Sequence, residues 1–189
     1  MATRVLERHP AIDLLACNAG VAARTNYLDG DVEAIERVVR VNYLGAVWTT
    51  LAFLPGLQRG SHVVNIVSVA GTVAVGPYSA SKHAQLAFSR SIAAELAPRG
   101  VEVHTINPGF VETPGFPQRT VRHGPLASRF VIDPPDVARR VLRAVDRGER
   151  EVFVPWWYRP AAWAQALAPG PFARATARAR TSRRAPRTP

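Results

Sequence analysis

Residues 62–106, HVVNIVSVAGTVAVGPYSASKHAQLAFSRSIAAELAPRGVEVHTI, predict a strand, a helix and a second strand in that order. The β-branched runs 62–67 and 101–106 favour strands. A helix is expected over 77–97, because Pro77 suits the first helical position. Two strands separated by a helix of this length predict a parallel pair with the helix packed on one face.

The sequence on both sides of this unit continues the alternation of strands and helices. A buried strand is predicted over 12–19 and a long helix over 31–54, and a helix over 135–147 precedes a short strand over 151–154. Strands joined by helices form parallel sheets that are covered on both faces. The predicted fold class is therefore α/β, with a single core for a chain of 189 residues.

Cysteine content and hydropathy favour a cytoplasmic location. Cys17 is the only cysteine, so no disulfide can form within the chain. The most apolar run, 11–23, is interrupted by Asp13 and is too short to span a bilayer. The first ten residues carry no apolar signal-peptide core.

The formal net charge of +10 is concentrated near the carboxyl terminus. Residues 1–158 carry only about +3, an ordinary value for an enzyme, so nucleic-acid binding by the folded body is disfavoured. Seven arginines, with no acidic residue among them, carry the remaining charge: Arg159, Arg174, Arg178, Arg180, Arg183, Arg184 and Arg187.

Lys82 is the only lysine among 24 basic residues, and all the others are arginine. Such a bias reflects nucleotide composition and replaces exposed lysines without physical cost. Lysine differs from arginine in carrying a compact charge on a thin stem and a proton that it can lose. Its retention against this bias predicts a chemical role for Lys82.

Tyr78 and Lys82 lie four residues apart on the predicted helix, and therefore on the same face. A free phenol has a pKa of about 10, which is too high for a base at neutral pH. A nearby ammonium lowers that pKa, so the pair could exchange a proton with an alcohol or a carbonyl. Ser68, just after the strand over 62–67, is placed to hold the substrate oxygen.

Five short motifs follow one another along the chain. They are Asn18-Ala19-Gly20, Val41-Asn42, Asn65-Ile-Val-Ser68, Tyr78-Ser-Ala-Ser-Lys82 and Asn107-Pro-Gly-Phe-Val-Glu-Thr113. In these motifs and their order, roughly residues 1–155 resemble the short-chain dehydrogenase/reductase family. The resemblance implies a partial Rossmann-like, doubly wound parallel sheet whose N-terminal strands are missing, and it implies a homo-oligomer.

The resemblance also implies roles for four catalytic residues. Tyr78 would be the general acid/base, and Lys82 would lower its pKa and bind the nicotinamide ribose. Ser68 would orient the substrate oxygen, and Asn42 would hold a water on a proton path to Lys82. The hydride would come from the cofactor, for which NAD and NADP both stay open.

Cofactor-binding residues follow from the same motifs. Asn18 and Gly20 would border the adenosine part of the cofactor, and Thr113 would bond the nicotinamide carboxamide. The whole implied set is Asn18, Ala19, Gly20, Tyr78, Lys82, Pro108, Gly109, Val111 and Thr113. No metal site is expected, because the five histidines are scattered along the chain without ligand spacing.

Two features depart from the family pattern. The Gly-rich turn that places a pyrophosphate at a helix N-terminus is absent, and Met1–Pro10 resembles the end of the helix before the family's fourth strand. The remaining sheet would expose an unpaired edge. Only nine residues separate Ser68 from Tyr78, fewer than the family usually has, so a shortened loop could displace the serine.

Three segments are predicted from composition and resemblance. Residues 1–155 form the Rossmann-like domain, 156–168 an aromatic amphipathic segment, and 169–189 a disordered tail rich in arginine and proline. A loop over 114–133 would cover the substrate, and its apolar residues favour an apolar ligand. Those apolar residues are Phe116, Leu126 and Phe130.

The leading hypothesis is an oxidoreductase that interconverts a secondary alcohol and a carbonyl compound, with a small-molecule substrate. One alternative is an inactive remnant of the family that acts by binding or dimerisation through helices 31–54 and 77–97. Another is a peripheral membrane protein that uses the tryptophans and arginines of 156–189 at an anionic surface. Packing of these tryptophans on the domain or on a subunit is the favoured interpretation, and nucleic-acid binding the least favoured.

Overall fold

The protein is described by a computed structural model over residues 1–23, 25–113 and 131–174. Its helices are α1 (Ala2–Arg8), α2 (Val32–Val39), α3 (Gly45–Phe53), α4 (Gly76–Leu96), α5 (Pro134–Asp146) and α6 (Arg159–Leu167). Its strands are β1 (Leu14–Cys17), β2 (His62–Ile66), β3 (Glu102–Pro108), β4 (Phe110–Val111), β5 (Val131–Ile132) and β6 (Glu151–Val154).

Four strands form one parallel sheet in the order β1-β2-β3-β6. Its register pairs Val63 with Val103 and Ile106 with Val152. Because the strands are parallel, their four carboxyl ends meet at one edge of the sheet. This arrangement confirms the predicted α/β fold class. Within the described ranges, β1 is an edge strand with no hydrogen-bonded neighbour on its outer side.

The two faces of the sheet pack against different helices. Successive residues of a strand point to opposite faces, so odd and even positions of β2 and β3 are separated. Val63 and Val103 join a core cluster with Ile92 of α4 and residues of α3. Val64 and Ile106 join a second cluster with residues of α5. Helices therefore cover both faces, as a buried parallel sheet requires.

The long helix predicted over 31–54 is interrupted by a π-helical turn. Asp31 begins it as an N-cap whose side chain accepts from the Ala34 amide at 2.9 Å. The segment Arg40–Leu44 then adopts π-helical hydrogen bonding between α2 and α3. Such turns insert one extra residue into a helix and often occur at functional sites. Here the turn carries the fully buried Asn42.

The segment after β6 is largely helical over its described residues. Trp156–Tyr158 forms one 3₁₀ turn that leads directly into α6. Residues 169–174 are helical as well, so the disorder expected from Pro169 onward is wrong for them. Pro169 and Pro171 both lie in the first turn of this short segment, where proline is tolerated. Among the described helices, none combines the length and apolarity that a bilayer-spanning segment needs.

Candidate active site

Ser68 and Tyr78 meet where β2 ends and α4 begins. Ser68 lies just beyond the carboxyl end of β2, and Tyr78 lies in the first turn of α4. Their hydroxyl groups are hydrogen-bonded to each other. The Ser68 hydroxyl also donates to the Pro108 carbonyl at the end of β3, at 3.4 Å. The two side chains therefore share one polar cluster at the carboxyl edge of the sheet.

A compact loop joins these two residues. Gly71 lies so close to α4 that an added Cβ would approach the Lys82 carbonyl oxygen to 2.8 Å. The Ser79 hydroxyl bonds back to the loop through the Ala70 carbonyl, at 2.6 Å. These contacts hold the nine-residue loop against α4. With this short loop, the Ser68 and Tyr78 side chains are hydrogen-bonded to each other.

Lys82 lies one helical turn beyond Tyr78 and is almost completely buried. Its Nζ donates to the Ile66 carbonyl at 3.1 Å and to Gln85 Oε1 at 2.7 Å. Both acceptors are neutral, so they stabilise the ammonium less than a carboxylate would. Burial accordingly lowers the pKa of Lys82 to about 8. The side chain is therefore only partly protonated slightly above neutral pH.

The pKa of Tyr78 moves in the direction opposite to the sequence-based prediction. Burial of the phenol raises the pKa above its ordinary value, and the hydrogen bond with Ser68 offsets only part of that rise. The prediction considered the ammonium of Lys82 and left out the desolvation of the phenolate. In this structure desolvation dominates, so Tyr78 carries its proton at neutral pH.

Asn42 fastens three parts of the chain together. Its Oδ1 accepts from the Val21 amide at 2.8 Å, and its Nδ2 donates to the Val21 carbonyl at 3.0 Å. The same Nδ2 donates to the Ser81 hydroxyl of α4, also at 3.0 Å. Both amide hydrogens are thereby used within the protein. The water-holding role implied by the resemblance stays a prediction.

The segment Asn18-Ala19-Gly20 follows β1 and passes beside this cluster. A Cβ added at Gly20 would lie 3.3 Å from Asn42 Oδ1 and 3.7 Å from Lys82 Nζ. Glycine therefore lets the backbone come close to both side chains. The first, second and fourth motifs, far apart in sequence, converge at this point.

Gly109 and the residues around it form the other side of the site. The Gly109 amide donates to the Val154 carbonyl of β6 at 2.8 Å. The ring of Tyr158 packs directly on its backbone, since an added Cβ would lie 2.3 Å from the ring. Val111 belongs to β4, which pairs in parallel with β5, and Thr113 is the last described residue before the gap.

Sequence reasoning missed three residues that support the site. Gln85 contacts Lys82 from the next helical turn, and its spacing of three residues could have indicated the contact. Tyr158 and Val21 reach the site through tertiary packing that no local pattern announces. The apolar residues Phe116, Leu126 and Phe130 lie outside the described residues.

Residues 1–122 match the family model described as short chain dehydrogenase, which covers more than half of the chain. The chain belongs to the short-chain dehydrogenase family. The match includes the motifs at 18–20, 41–42, 65–68 and 78–82, which carry the clustered side chains.

Curated relatives agree with this membership. A dehydrogenase/reductase SDR family protein 7-like from Anopheles gambiae is 36% identical over 177 residues, covering 87% of this chain and 56% of the relative. A dehydrogenase/reductase SDR family member 7B from Danio rerio is 36% identical, covering 80% of this chain and 52% of the relative. The chain thus spans about half the length of the curated relatives it matches.

Solved structures of family members share the fold. A short chain dehydrogenase from Burkholderia cenocepacia, crystallised in complex with NADP, aligns over 95% of this chain and 72% of its own. Its TM-score is 0.76 at 29% identity. A short-chain dehydrogenase from Streptomyces avermitilis aligns with a TM-score of 0.71 at 22% identity, which supports the fold alone.

Proposed function

We propose that this short-chain dehydrogenase is an oxidoreductase that interconverts a secondary alcohol and a carbonyl compound, using NAD or NADP. One observation carries the proposal: Ser68, Tyr78 and Lys82 cluster at the carboxyl edge of a parallel sheet. Ligands of open α/β sheets bind in the crevice at that edge. The proposed substrate is a small molecule.

The ionisation of the cluster suits proton donation to a carbonyl oxygen. Because the pKa of Tyr78 is raised, its phenol is protonated at neutral pH and serves as the acid during reduction. The Ser68 hydroxyl, bonded to the same phenol, would orient the substrate oxygen beside it. In the direction of oxidation, Tyr78 would accept the proton back from the alcohol.

The residues at this edge fit a nicotinamide cofactor. The Lys82 ammonium has three N–H groups, and two of them donate to Ile66 and Gln85. With respect to the described residues, the third is left for a ribose hydroxyl. Gly20 leaves space for close approach next to it. The cofactor would supply the hydride, since no side chain can. The NADP bound by the Burkholderia cenocepacia relative supports a dinucleotide of this kind.

Further contacts are proposed at both sides of that cofactor. Asn18, Ala19 and Gly20 would border its adenosine part. Pro108, Gly109, Val111 and Thr113 would line the nicotinamide, with Thr113 bonding the carboxamide.

The second candidate is peripheral membrane association through the segment after β6. Trp156 and Trp163 expose 73% and 56% of their surface, and Leu167 exposes 86%. Arg159 stacks on the Trp163 ring at 5.0 Å, as a basic residue among interfacial aromatics would. Co-sedimentation with anionic vesicles tests this candidate, with the Trp156→Ala and Trp163→Ala variants as controls. If the unmodified protein stays in the supernatant just as both variants do, the candidate is contradicted.

The deciding experiment combines cofactor binding with turnover. NADH and NADPH are titrated against the full chain by energy transfer from tryptophan, and oxidation of each is followed with a panel of ketones and aldehydes. We expect Tyr78→Phe to retain binding and to lower turnover by roughly 10² to 10⁴-fold, the range of general acid catalysis. Tyr27→Phe, at an exposed position, is the matched control.

Each outcome bears on one alternative. Binding without turnover by the unmodified chain would favour the binding-only remnant. No binding of either dinucleotide at about 1 mM, a concentration that detects even weak sites, would refute the enzyme proposal for this chain. Equal turnover by the unmodified chain and Tyr78→Phe would refute the role of the phenol.

A further inference from the structure

Three potential metal ligands meet at the amino end of the sheet, on the face covered by α5. His62 begins β2, and Glu102 and His104 lie two residues apart near the start of β3. The parallel register places His62 directly beside Glu102. Because the three residues share the even face of adjacent strands, their side chains project to the same side. The site proposed for catalysis lies at the opposite, carboxyl edge.

The donor atoms of these residues have the spacing of one coordination sphere. His62 Nδ1 lies 3.0 Å from His104 Nε2. Glu102 Oε2 lies 3.8 Å from each of these nitrogens. Ligands of a tetrahedral zinc ion, at bond lengths of about 2.0 to 2.1 Å, are separated by about 3.3 Å. The Glu102 side chain is 56% exposed, so small rotations would bring its Oε2 from 3.8 Å to this separation from the two nitrogens.

The tautomer of His104 is fixed by its other nitrogen. Its Nδ1 lies 2.8 Å from the Glu149 carbonyl oxygen, which can only accept a hydrogen bond. Nδ1 therefore carries the hydrogen, and the lone pair of Nε2 points toward His62 and Glu102. Histidines that bind metals almost always donate their second nitrogen to a carbonyl or carboxylate in this way.

Burial makes one half of the cluster rigid and leaves the other half open. The His104 side chain is only 1% exposed, whereas the His62 side chain is 27% exposed. The buried imidazole is held by the sheet and by the Glu149 carbonyl, so its lone pair needs no ordering before it binds. An ion could reach the cluster from the solvent side of His62 and Glu102, where a water would complete the sphere.

We propose that His62, Glu102 and His104 bind a divalent transition-metal ion of the zinc class, with water as the fourth ligand. Two imidazoles and a carboxylate suit zinc, whereas magnesium and calcium prefer oxygen ligands alone. Bound there, the ion would join β2 to β3 and, through His104, to the chain that enters β6. The role would be structural, away from the reacting groups.

The scattered positions of the histidines gave no sign of this cluster. His62 and His104 lie 42 residues apart in sequence, and only the parallel register of β2 and β3 brings them together. In the absence of an ion, a hydrogen bond from His62 Nδ1 to His104 Nε2 satisfies both nitrogens. That hydrogen bond alone is the competing outcome of the test.

The test uses zinc alone, added to the full chain prepared without a histidine tag and treated with a chelator. Calorimetric titration should show one site with a dissociation constant of about 10 μM or tighter, a rise in the melting temperature, and no response to magnesium. The ¹⁵N resonances of His62 Nδ1 and His104 Nε2 should shift on binding, whereas the other nitrogen of each ring should change little.

Variants of the more exposed ligands separate this site from other histidines. His62→Ala and Glu102→Gln should each lower the affinity for zinc by at least roughly 10-fold. Mutation of a residue that only hydrogen-bonds a metal ligand already lowers metal affinity by that factor. His9→Ala and Glu95→Gln, both at exposed positions, should leave it unchanged. Circular dichroism confirms that every variant is folded.

Two results would overturn the proposal. No heat of zinc binding up to about 1 mM, where weak sites become visible, would leave only the hydrogen bond between the histidines. Zinc binding that persists undiminished in both His62→Ala and Glu102→Gln, with shifts at other histidines, would place the ion elsewhere.

Discussion

The two faces of the sheet distribute their polar residues at opposite ends. On the face covered by α3 and α4, the amino end is apolar, with the buried Val63 and Val103. Toward the carboxyl end of the same face, Asn65, Thr105 and Asn107 replace the valines and are buried as well. This polar half adjoins the cluster proposed for catalysis.

The face covered by α5 shows the reverse order. Its amino end carries His62, Glu102 and His104, and its carboxyl half is apolar, with Val64 and Ile106 fully buried. Buried polar side chains are costly unless they are bonded, so their positions are informative. Each face therefore has one apolar half and one polar half, and the polar halves lie at opposite ends of the sheet.

The largest effect on stability is expected in the apolar half of the α5 face. Ile106 is fully buried, so Ile106→Ala should lower the free energy of unfolding by about 3 kcal/mol through lost burial and a cavity. Leu142→Ala, at a position 60% exposed on α5, should change it by less than about 0.5 kcal/mol. Urea denaturation measures both, and equal losses would show that this half is not a packed core.

A smaller effect is expected from the ionisation of Lys82 near the polar half of the α4 face. Its pKa in the folded protein is about 8, below the ordinary 10.5. Between these values the unfolded chain binds more protons, so stability rises with pH. From pH 8 to pH 10, Lys82 alone should add about 2 kcal/mol to the free energy of unfolding. The buried thiol of Cys17, whose pKa is raised by burial, acts in the opposite direction over this range, so the contribution of Lys82 is read from the difference between two proteins.

The control for this pH dependence is Lys82→Met, which removes the titrating group and keeps the apolar stem. Its unfolding free energy should lack the Lys82-dependent increase over the same range. An identical pH dependence in both proteins would mean that the ammonium is not desolvated as the structure indicates. The comparison stops at pH 10, since the raised pKa of Tyr78 makes stability fall at higher pH.

The smallest effect is expected within the polar half itself. Ser89 accepts from Asn65 Nδ2 at 3.0 Å and is bonded to Thr105 Oγ1 at 2.7 Å. Ser89→Ala should therefore cost about 1 kcal/mol, because both buried partners lose a hydrogen bond. Ser91→Ala, at an exposed position of the same helix, is the control. A neutral Ser89→Ala would indicate that the polar half contributes nothing to folding.

The convergence of Ser68, after β2, with the residues that follow β1 and β3 has a general reason. The carboxyl ends of parallel strands lie at one edge, so residues that follow strands converge even when the chain between them is long. The strand–helix–strand unit over 62–106 therefore carried both the fold and the centre of the site. The alternation of β-branched and helical runs was sufficient for the fold class, whereas the roles of Ser68, Tyr78 and Lys82 came from spacing, strand ends and the family resemblance.

Other features depend on physical quantities that no local pattern contains. The π-helical turn at Arg40–Leu44 changes the hydrogen-bond spacing of a helix without a proline or glycine at its centre. The raised pKa of Tyr78 depends on burial, whereas spacing indicated only the charge nearby. The meeting of His62 and His104 depends on strand register, which is set by packing across the whole sheet.

The contact between Tyr158 and Gly109 sets a practical limit on shortening this protein. The domain was expected to end at residue 155. Tyr158, three residues beyond that boundary, packs its ring on the backbone of Gly109. A fragment cut at residue 155 would expose that backbone to solvent. It would also lose the edge-to-face contact between Tyr158 and Phe110. A minimal fragment for engineering should therefore retain at least Tyr158, and residue 109 should stay glycine in any redesigned library.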